Sequence, residues 1–364
     1  EEQTDDTVPP IKVFEETRHI DDELGRLLIE IYNRESVTVE ELSEHMDQPV
    51  STVNRQTGQL RKQGYLGVEH GENEKQYFVS SDWGTQEFPS GPIIPLVYQF
   101  NLLSDTQRLD GLKKAIETTV EPGDVVADLG AGVGVLSCLA ARTAEKVYAV
   151  EMDREVYEKG VNITKEQGFD NIEYIRGDAR EVELSEEVDV VMCELLDTAL
   201  IAELQVPVMN YAVENLLAGD GDVIPVRART SAQLVETDYE FVGCQFPLPH
   251  FEEYGSREST PKSEPVVYHD INFNEKNSEF IEEQVTIPAD ETGRINGLQL
   301  NTDVQFGQDT DFTGHSPWLN APLTLPFNRE VHAGQGESLT VEISYELGGG
   351  LSNIVYNIVE TPDE

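Results

Sequence analysis

The chain of 364 residues carries 70 acidic and 25 basic side chains, which gives a formal net charge of −45 at pH 7. The acids are spread along the chain rather than gathered in blocks, so an acidic disordered tail does not explain the charge. A folded protein in molar salt explains it better, because the screening length falls to about 3 Å at ~1 M salt. The composition therefore predicts halophilic, archaeal character, with an acidic protein of an ordinary cell as the alternative.

Such a charge makes the folded state dependent on salt. Dilution from molar to about 0.1 M salt lengthens the screening length from about 3 to about 10 Å and restores repulsion between distant carboxylates. We expect a cooperative loss of circular dichroism on dialysis into dilute buffer. Full stability in that buffer would contradict the halophilic interpretation.

Cysteines and apolar runs bear on the compartment. Cys138, Cys193 and Cys244 stand among apolar residues without metal-ligand spacing, as expected for small core residues in a reducing cytoplasm. No apolar run approaches the ~18 residues of a membrane span, and no signal peptide is recognisable. The sequence thus predicts a cytoplasmic location, no metal site and no membrane contact. Its length predicts two or three domains.

Residues 20–82 have the pattern of one small domain, preceded by a polar, disordered tail at residues 1–19. Helical spacing of apolar residues and short β-type runs give the order helix, helix, helix, strand, strand, at residues 20–31, 39–46, 51–63, 65–68 and 76–79. Thr38 can cap the second helix. Three helices followed by a hairpin predict a winged helix-turn-helix domain.

The third predicted helix lies in a stretch without acids. Residues 48–68 contain no Asp or Glu but hold Arg55, Arg61 and Lys62. In a helix-turn-helix fold this helix enters the major groove, where basic side chains reach phosphates or guanines. The stretch predicts contact of these three residues with double-stranded DNA. The alternatives are a helix buried against the next domain and a surface that docks another protein.

The remaining chain divides at two changes of pattern. A linker rich in Gly, Pro and Ser at residues 83–96 leads to residues 97–224, where helices and buried strands alternate as in an α/β Rossmann-like domain. From residue 225 to residue 364, short alternating strands dominate. This last segment is predicted to be an all-β barrel domain.

A glycine-rich turn follows the first strand of the α/β segment. Asp128 ends that strand, and Gly130, Gly132 and Gly134 follow, which allows a tight turn and a close approach to a ligand. The next strand ends in Glu151, where an acid can accept both ribose hydroxyls. The spacing G-x-G-x-G after an acid differs from the dinucleotide fingerprint, and an acid beside the loop would repel a pyrophosphate. The pattern predicts a site for S-adenosylmethionine (SAM) and a methyltransferase.

Two acids flank a turn after another buried strand. Glu194 and Glu203 are placed at the carboxyl end of residues 188–192, over the same crevice. A guanidinium offers planar N–H donors that match carboxylates two at a time. Two carboxylates can draw its positive charge onto the held nitrogens and leave the third nitrogen richer in electrons. This pair predicts a guanidinium substrate, although acids are so abundant here that such a pair also arises by chance.

The segment from Tyr98 to Glu236 resembles the protein arginine methyltransferases, above all their monomethylating type III branch. The likeness rests on the double-glutamate loop from Glu194 to Glu203, on Leu102 to Arg108, and on residues 224–236, which look like the crossing into the family's barrel. The resemblance implies Arg108 for the methionine carboxylate of SAM, Asp128 and Gly130 for its methionine end, Glu151 for the ribose, and Asp178 and Ala179 for the adenine. It implies a protein substrate with an exposed arginine.

Two departures from the family stand in the β segment. The family's loop of Thr-His-Trp type, whose His pairs with the active site, is replaced by Ser316-Pro317-Trp318. His315 is the candidate for the missing histidine, displaced by two or three positions. The dimerisation arm is short, because residues 238–261 offer little amphipathic helix, and this leaves the oligomeric state open.

Three functions remain open at this level. The leading hypothesis is a SAM-dependent arginine methyltransferase, favoured by the presence of both Glu194 and Glu203. The second is a DNA-binding regulator whose methyltransferase unit senses SAM or binds a partner, favoured by the altered loop and the acid-free helix. The third is a methyltransferase for RNA or a small molecule, since a fold does not determine its substrate.

Overall fold

The structure is a computed structural model and describes residues 22–34, 37–46, 48–62, 65–70, 75–79, 94, 96–252 and 257–361. The chain divides into two compact units, Glu1–Phe88 and Pro89–Glu364. The predicted tail and nearly all of the predicted linker lie outside the described residues. No helix in the described part is both long and apolar enough to cross a membrane.

The described residues of the first unit follow the predicted order. They form helices and then a hairpin: α1 (Asp22–Asn33), α2 (Val39–Met46), α3 (Val50–Lys62), β1 (Leu66–His70) and β2 (Lys75–Val79). The two strands pair antiparallel. Val37 adds a backbone pair to Tyr77 of β2, at 3.0 and 2.8 Å. This is the element order of a winged helix-turn-helix domain, and the assignment itself stays a prediction.

A capping box starts α2, as the sequence predicts. Glu41 donates its backbone N–H to the Thr38 hydroxyl at 3.2 Å, and its carboxylate accepts the Thr38 N–H at 2.9 Å. The apolar faces of the helices meet in a core of fully buried side chains at Leu27, Leu28, Ile31, Leu42 and Leu60. The periodicity of the sequence therefore locates the core of this unit correctly.

The second unit begins with an α/β layer. Its helices are α4 (Leu96–Ser104), α5 (Thr106–Thr119), α6 (Val135–Ala140), α7 (Arg154–Glu166) and α8 (Gln205–Asn215). Its strands are β3 (Val125–Leu129), β4 (Lys146–Glu151), β5 (Ile172–Arg176), β6 (Val188–Cys193) and β7 (Leu217–Ile224). All neighbours are parallel in the order β5-β4-β3-β6-β7. This Rossmann-like sheet brings the carboxyl ends of its strands to one edge, where ligands bind in such folds.

The first helical stretch of the second unit consists of two helices, α4 and α5, which meet at Asp105. Asp105 leaves the helical conformation (φ −78°, ψ 87°), and its side chain accepts the backbone N–H of Arg108 at 3.2 Å. An aspartate is favoured as an N-cap because it satisfies an unpaired N–H of the first turn. The break directs Arg108 toward the edge of the sheet that carries the site.

The rest of the second unit is β-rich. Its strands are β8 (Arg227–Glu236), β9 (Glu240–Phe241), β10 (Cys244–Gln245), β11 (His250–Phe251), β12 (Thr260–Pro261), β13 (Val266–Asn272), β14 (Phe280–Pro288), β15 (Gly293–Gln305), β16 (Leu323–Ala333), β17 (Ser338–Glu346) and β18 (Val355–Glu360). One sheet has the order β11-β16-β15-β8-β12, with β13 also on β8, and another has the order β14-β17-β18. These strands form two separate antiparallel sheets. The predicted β-rich domain is therefore present, but its strands do not form one closed barrel in the described residues.

Residues 238–261 have little regular structure where they are described. They contain the short pair β9 and β10 and, among their described residues, no helix. Val242 at the turn is 98% exposed, and Cys244 is also exposed, which corrects the expectation that it is a core residue. A short hairpin at the surface cannot bury a side chain on both faces.

Candidate active site

A cavity opens over the carboxyl ends of β3, β4, β5 and β6. Predicted site residues from all four strand ends and from α5 line it together: Arg108, Gly130, Gly132, Glu151, Asp178, Ala179, Glu194 and Glu203. The sequence and its family resemblance assign the first six to a cofactor and the last two to a substrate. The structure thus brings the two sets to one cavity although they come from distant parts of the sequence.

The glycine turn has left-handed backbone at each predicted position. The φ angles of Gly130, Gly132 and Gly134 are +79°, +56° and +87°, a region that side chains other than glycine rarely adopt. A Cβ on Gly132 would lie 3.0 Å from the side-chain oxygen of Gln99, and one on Gly134 would collide with the Tyr174 hydroxyl. Gly134 therefore packs against β5 and does not line the cavity.

Glu151 is held rigidly where β4 ends. Its carboxylate accepts the N–H of Gly132 at 2.9 Å and that of Asp153 at 2.8 Å. The residue is 9% exposed, and burial raises its pKa. These two bonds fix the orientation of the carboxylate at the cavity. A carboxylate held in one orientation is suited to accept hydrogen bonds from the two adjacent hydroxyls of a ribose.

Asp128 does not line the cavity, which corrects its predicted place at the methionine end of the cofactor. It is 1% exposed and accepts the Ser137 hydroxyl of α6 at 2.5 Å. Burial raises its pKa to about 6. The side chain points behind the turn because β3 is the central strand, where alternate side chains enter the core. Asp128 thus ties α6 to the end of β3 and supports the glycine turn.

Asp178 and Ala179 line the cavity after β5, as predicted. The guanidinium of Arg180 donates to both carboxylate oxygens of Asp178, at 3.0 and 2.6 Å. These bonds lower the pKa of Asp178. Oδ1 also accepts the backbone N–H of Arg180 at 2.9 Å, whereas Oδ2 keeps a further lone pair, so Asp178 can still accept from an exocyclic amine.

Arg108 and Glu194 form a buried ion pair, with each side chain only 7% exposed. Arg108 also donates from Nη1 to the carbonyl of Leu102 at 3.2 Å. Its Nε–H is buried and has no partner among the described residues, and burial lowers its pKa to about 10. An unpaired buried donor is costly. A carboxylate entering the cavity would satisfy it.

Glu203 is the second acid of the pair at the cavity. Burial raises its pKa to about 8, and the charge of Asp197 adds to the rise while Arg108 opposes it. With no substrate cation beside it, Glu203 is therefore largely neutral at pH 7. A cationic side chain entering the cavity would favour its ionised form.

His315 is not brought to the cavity, which corrects its predicted catalytic place. Its side chain is exposed, whereas Trp318 lines the cavity. Asn320 accepts the N–H of Ser316 at 2.9 Å, and this tight turn carries Trp318 inward. The backbone N–H of Trp318 donates to the Asp105 carboxylate at 3.2 Å. Ser316 and Pro317 separate the two residues in this turn, and only Trp318 faces the cavity.

Some residues that line the cavity were not among the predicted site residues. Gln99, Leu195 and Trp318 line the cavity, and Leu195 lies where a Cβ on Gly130 would be. Gly160 did carry a signal, since it interrupts the helical pattern of α7. A Cβ there would lie 3.0 Å from the Gly132 carbonyl. Glycine at this position lets the helix approach the turn.

The three predicted DNA contacts share one helix of the first unit. Arg55 is exposed on α3, and Arg61 and Lys62 are its last two residues. The side chains of Arg61 and Lys62 lie outside the described residues. Their role on DNA stays a prediction.

Comparison with known proteins identifies the class and the family. The family model for the TRM5/TYW2 methyltransferase domain matches residues 105–204, which include every predicted site residue that lines the cavity. The chain carries a SAM-dependent methyltransferase domain, and SAM is its cofactor. MJ1452, an uncharacterized protein of Methanocaldococcus jannaschii, is 36% identical over 72% of this chain and 96% of its own length. The chain belongs to the family of that protein.

More distant relatives have names that state an activity. An arginine N(omega)-methyltransferase of Streptomyces achromogenes is 33% identical over 39% of this chain and 41% of its own length. Protein arginine N-methyltransferase 7 of the mouse is 33% identical over 61% of this chain and 30% of its own length. The chain thus matches less than half the length of either relative.

Solved structures show the same fold. The PRMT1 enzyme–prozyme complex of Trypanosoma brucei with AdoHcy has a TM-score of 0.58 at 19% identity, over 68% of this chain and 87% of that chain. Arabidopsis protein arginine methyltransferase 10 has a TM-score of 0.60 at 16% identity, over 73% of this chain and 98% of that chain. The shared fold is a Rossmann-like domain followed by a β-rich domain.

The residues at the cavity fit SAM. The unpaired Nε–H of Arg108 suits a carboxylate, the fixed carboxylate of Glu151 suits a diol, and the glycine turn leaves room for a ligand against the backbone. Apolar side chains such as Val150 and Met152 complete the lining. When bound, SAM supplies a methyl group activated by its sulfonium sulfur.

Removal of the Glu151 side chain should weaken SAM binding. Glu151→Ala should cost about 2 kcal/mol, or about 30-fold in Kd, because charged hydrogen bonds are lost and are partly replaced by water. Calorimetry in molar salt measures this, with the exposed Glu155→Ala on the next helix as the matched control. An unchanged Kd in a folded Glu151→Ala protein would remove Glu151 from the cofactor site.

Proposed function

We propose that the chain is a protein arginine N-methyltransferase, which transfers a methyl group from SAM to a guanidinium nitrogen and releases S-adenosylhomocysteine and one proton. The observation that carries this proposal is the pair of glutamates, Glu194 and Glu203, at the same cavity as the cofactor residues. Two carboxylates at one cavity match the two N–H edges of a guanidinium. A lysine ammonium has no second edge to offer.

The chain's own residues prepare the acceptor nitrogen. Glu194 and Glu203 hold two edges of the guanidinium and concentrate its positive charge there, so the third nitrogen keeps more of its lone pair. Fixing that nitrogen in line with the transferred group accounts for a large part of the rate of such reactions. The neutral form of Glu203 must lose its proton for this, which the incoming positive charge favours.

Arg108 links the two halves of the site. In the protein alone it neutralises Glu194, so this acid is not free for a substrate. A carboxylate that takes the unpaired Nε–H of Arg108 also competes for the neighbouring Nη2–H, because the two donors form one fork. Binding of the cofactor would in this way weaken the hold of Arg108 on Glu194 and prepare the acid for the guanidinium.

The relatives support arginine as the acceptor. The arginine N(omega)-methyltransferase of Streptomyces achromogenes and the mouse protein arginine N-methyltransferase 7 both act on arginine according to their names. The resemblance of the double-glutamate loop to the type III branch supports monomethylarginine as the product. The short arm at residues 238–261 leaves the assembly of this chain open.

A direct assay separates the three substrate classes. The protein in molar salt is incubated with SAM labelled in its methyl group and with an arginine-rich peptide, the same peptide carrying lysine, a mixed RNA, or free arginine. The proposal predicts label in the arginine peptide and none in the lysine peptide. Label in RNA or free arginine alone would replace it with an RNA or small-molecule methyltransferase.

A second candidate function is DNA binding by the first unit. The observation that favours it is α3, which contains no acid and exposes Arg55 in a chain of net charge −45. A regulator of this kind would couple a DNA site to a SAM-sensing or methylating unit. Specific base contacts would appear as sequence preference rather than as salt dependence alone.

Selection from random duplexes in molar salt tests this function. It should enrich a motif, and joint replacement of Arg55, Arg61 and Lys62 by Ala should abolish the enrichment. Joint replacement of Lys113, Lys114 and Lys159 in the second unit controls for the loss of three charges. Failure to retain any duplex above a scrambled control would leave the first unit as a module that recruits protein substrates.

A further inference from the structure

The loop between Glu194 and Glu203 is held in an unusual conformation. Ala199 and Leu200 both have left-handed backbone, with φ of +63° and +54°, and side chains other than glycine adopt that region at a cost. Two bonds from the β-rich part fix the turn. The Thr198 hydroxyl donates to the Ala321 carbonyl at 2.5 Å, and the Ala199 N–H donates to the Thr302 hydroxyl at 2.7 Å.

Asp197 closes this turn from inside. Its Oδ2 accepts the backbone N–H of Ala202 at 2.9 Å, one residue before Glu203. The Asp197 carbonyl accepts the N–H of Leu200 at 3.2 Å. Asp197 therefore ties both ends of the strained segment, and the peptide that leads into Glu203 is fixed by its carboxylate.

The carboxylate of Asp197 is also electrostatically coupled to the site. Burial raises the pKa of Asp197 to about 7, although the amides of residues 201–203 oppose the rise. Its charge contributes to the raised pKa of Glu203. Asp197 does not line the cavity, and its Oδ1 is buried with no partner among the described residues. It therefore acts on a substrate through Glu203.

Other titratable groups face the pair from the elements packed against it. They are Arg108 on α5, Glu194 and Cys193 at the end of β6, Tyr345 on β17, and Tyr268 on β13, whose hydroxyl lies 2.9 Å from that of Tyr345. Arg108 is the cation of this set, and Glu194 already engages it. A cation supplied by a substrate would therefore act on both Asp197 and Glu203.

We propose that Asp197 is a positioning residue for Glu203, whose carboxylate fixes the turn that delivers Glu203 to the cavity and whose charge repels the Glu203 carboxylate. The inference rests on the proposed arginine methyltransferase activity and assigns a residue beyond the two loop glutamates. An asparagine at this position can still accept the Ala202 N–H but carries no charge. An alanine does neither.

The two replacements separate the two roles. Asp197→Ala should lower kcat by about 10²-fold, since displacement of a catalytic group by about 1 Å has an effect of that size. The affinity for SAM should stay unchanged. Asp197→Asn should recover most of that rate, and its kcat/KM should rise at lower pH than in the wild-type protein. Asp124→Ala is the matched control, because Asp124 accepts the Glu121 N–H at 2.8 Å in a turn at the opposite end of β3.

The outcomes distinguish this inference from the proposed function. A wild-type protein that does not methylate arginine overturns both. A wild-type protein that does, together with an Asp197→Asn profile that coincides with the wild-type profile, overturns the inference alone. A folded Asp197→Ala protein with the wild-type rate has the same consequence. Should Asp197→Ala not fold, the Asp197→Asn profile decides.

Discussion

Exchange of either loop glutamate for glutamine should remove most methyl transfer without loss of SAM binding. Glutamine keeps the size of Glu194 or Glu203 but not the charge, and the charge acts on the guanidinium rather than on the cofactor. We expect kcat/KM to fall by about 10²-fold or more for each variant, the size seen when one group that stabilises a transition state is removed. Turnover with labelled SAM and calorimetry with SAM measure the two quantities.

The ion pair between Arg108 and Glu194 predicts that the two glutamine variants differ in stability. Glu194→Gln deprives the buried Arg108 of its partner, so it should lower stability as well as turnover. Glu203→Gln resembles the neutral state of Glu203 and should affect turnover alone. The exposed Glu187→Gln, before the start of β6, is the matched control. A wild-type rate in either loop variant would contradict the double-carboxylate mechanism.

Turnover should rise with pH through about 8. Glu203 binds a guanidinium in its ionised form, and burial raises the pKa of this residue to about 8 in the protein alone. Below that value the ionised fraction, and with it kcat/KM, should fall by about tenfold for each pH unit. Above it the rate should level off, since no further proton needs to leave Glu203.

The Glu203→Gln protein provides the control for this profile. Its low rate should not follow the same limb, because glutamine does not titrate. Should the wild-type rate instead be constant from about pH 6 to about pH 9, a range over which ~90% of a group with this pKa loses its proton, the ionisation of Glu203 would play no part in the reaction.

Local patterns in the sequence predicted the parts of the site that depend on nearby residues. Gly130, Gly132 and Glu151 follow strands whose order is set by the alternation of helix and strand, and parallel strands bring their carboxyl ends together. The capping of α2 by Thr38 depends on a partner three residues away. Such contacts can be read from spacing because the backbone conformation itself brings the residues together.

Contacts between distant residues could not be predicted in the same way. Arg108 and Glu194 are 86 residues apart, and each was assigned to a different ligand rather than to the other. Asp128 was placed at the cavity by the family resemblance, but the alternation of side chains along β3 turns it into the core. His315 faces solvent because the tight turn that follows it carries Trp318, rather than His315, into the cavity. Each error concerns the direction of a side chain, which depends on tertiary packing.

Identification of the methylated atom tests the central claim most directly. Proteins of an extract are labelled in molar salt with SAM by the wild-type chain and, in parallel, by Glu203→Gln, and the labelled material is hydrolysed to amino acids. We predict label in monomethylarginine with the wild-type chain and its loss with Glu203→Gln. Label in any other amino acid or in nucleic acid, with none in a methylated arginine, would contradict the claim.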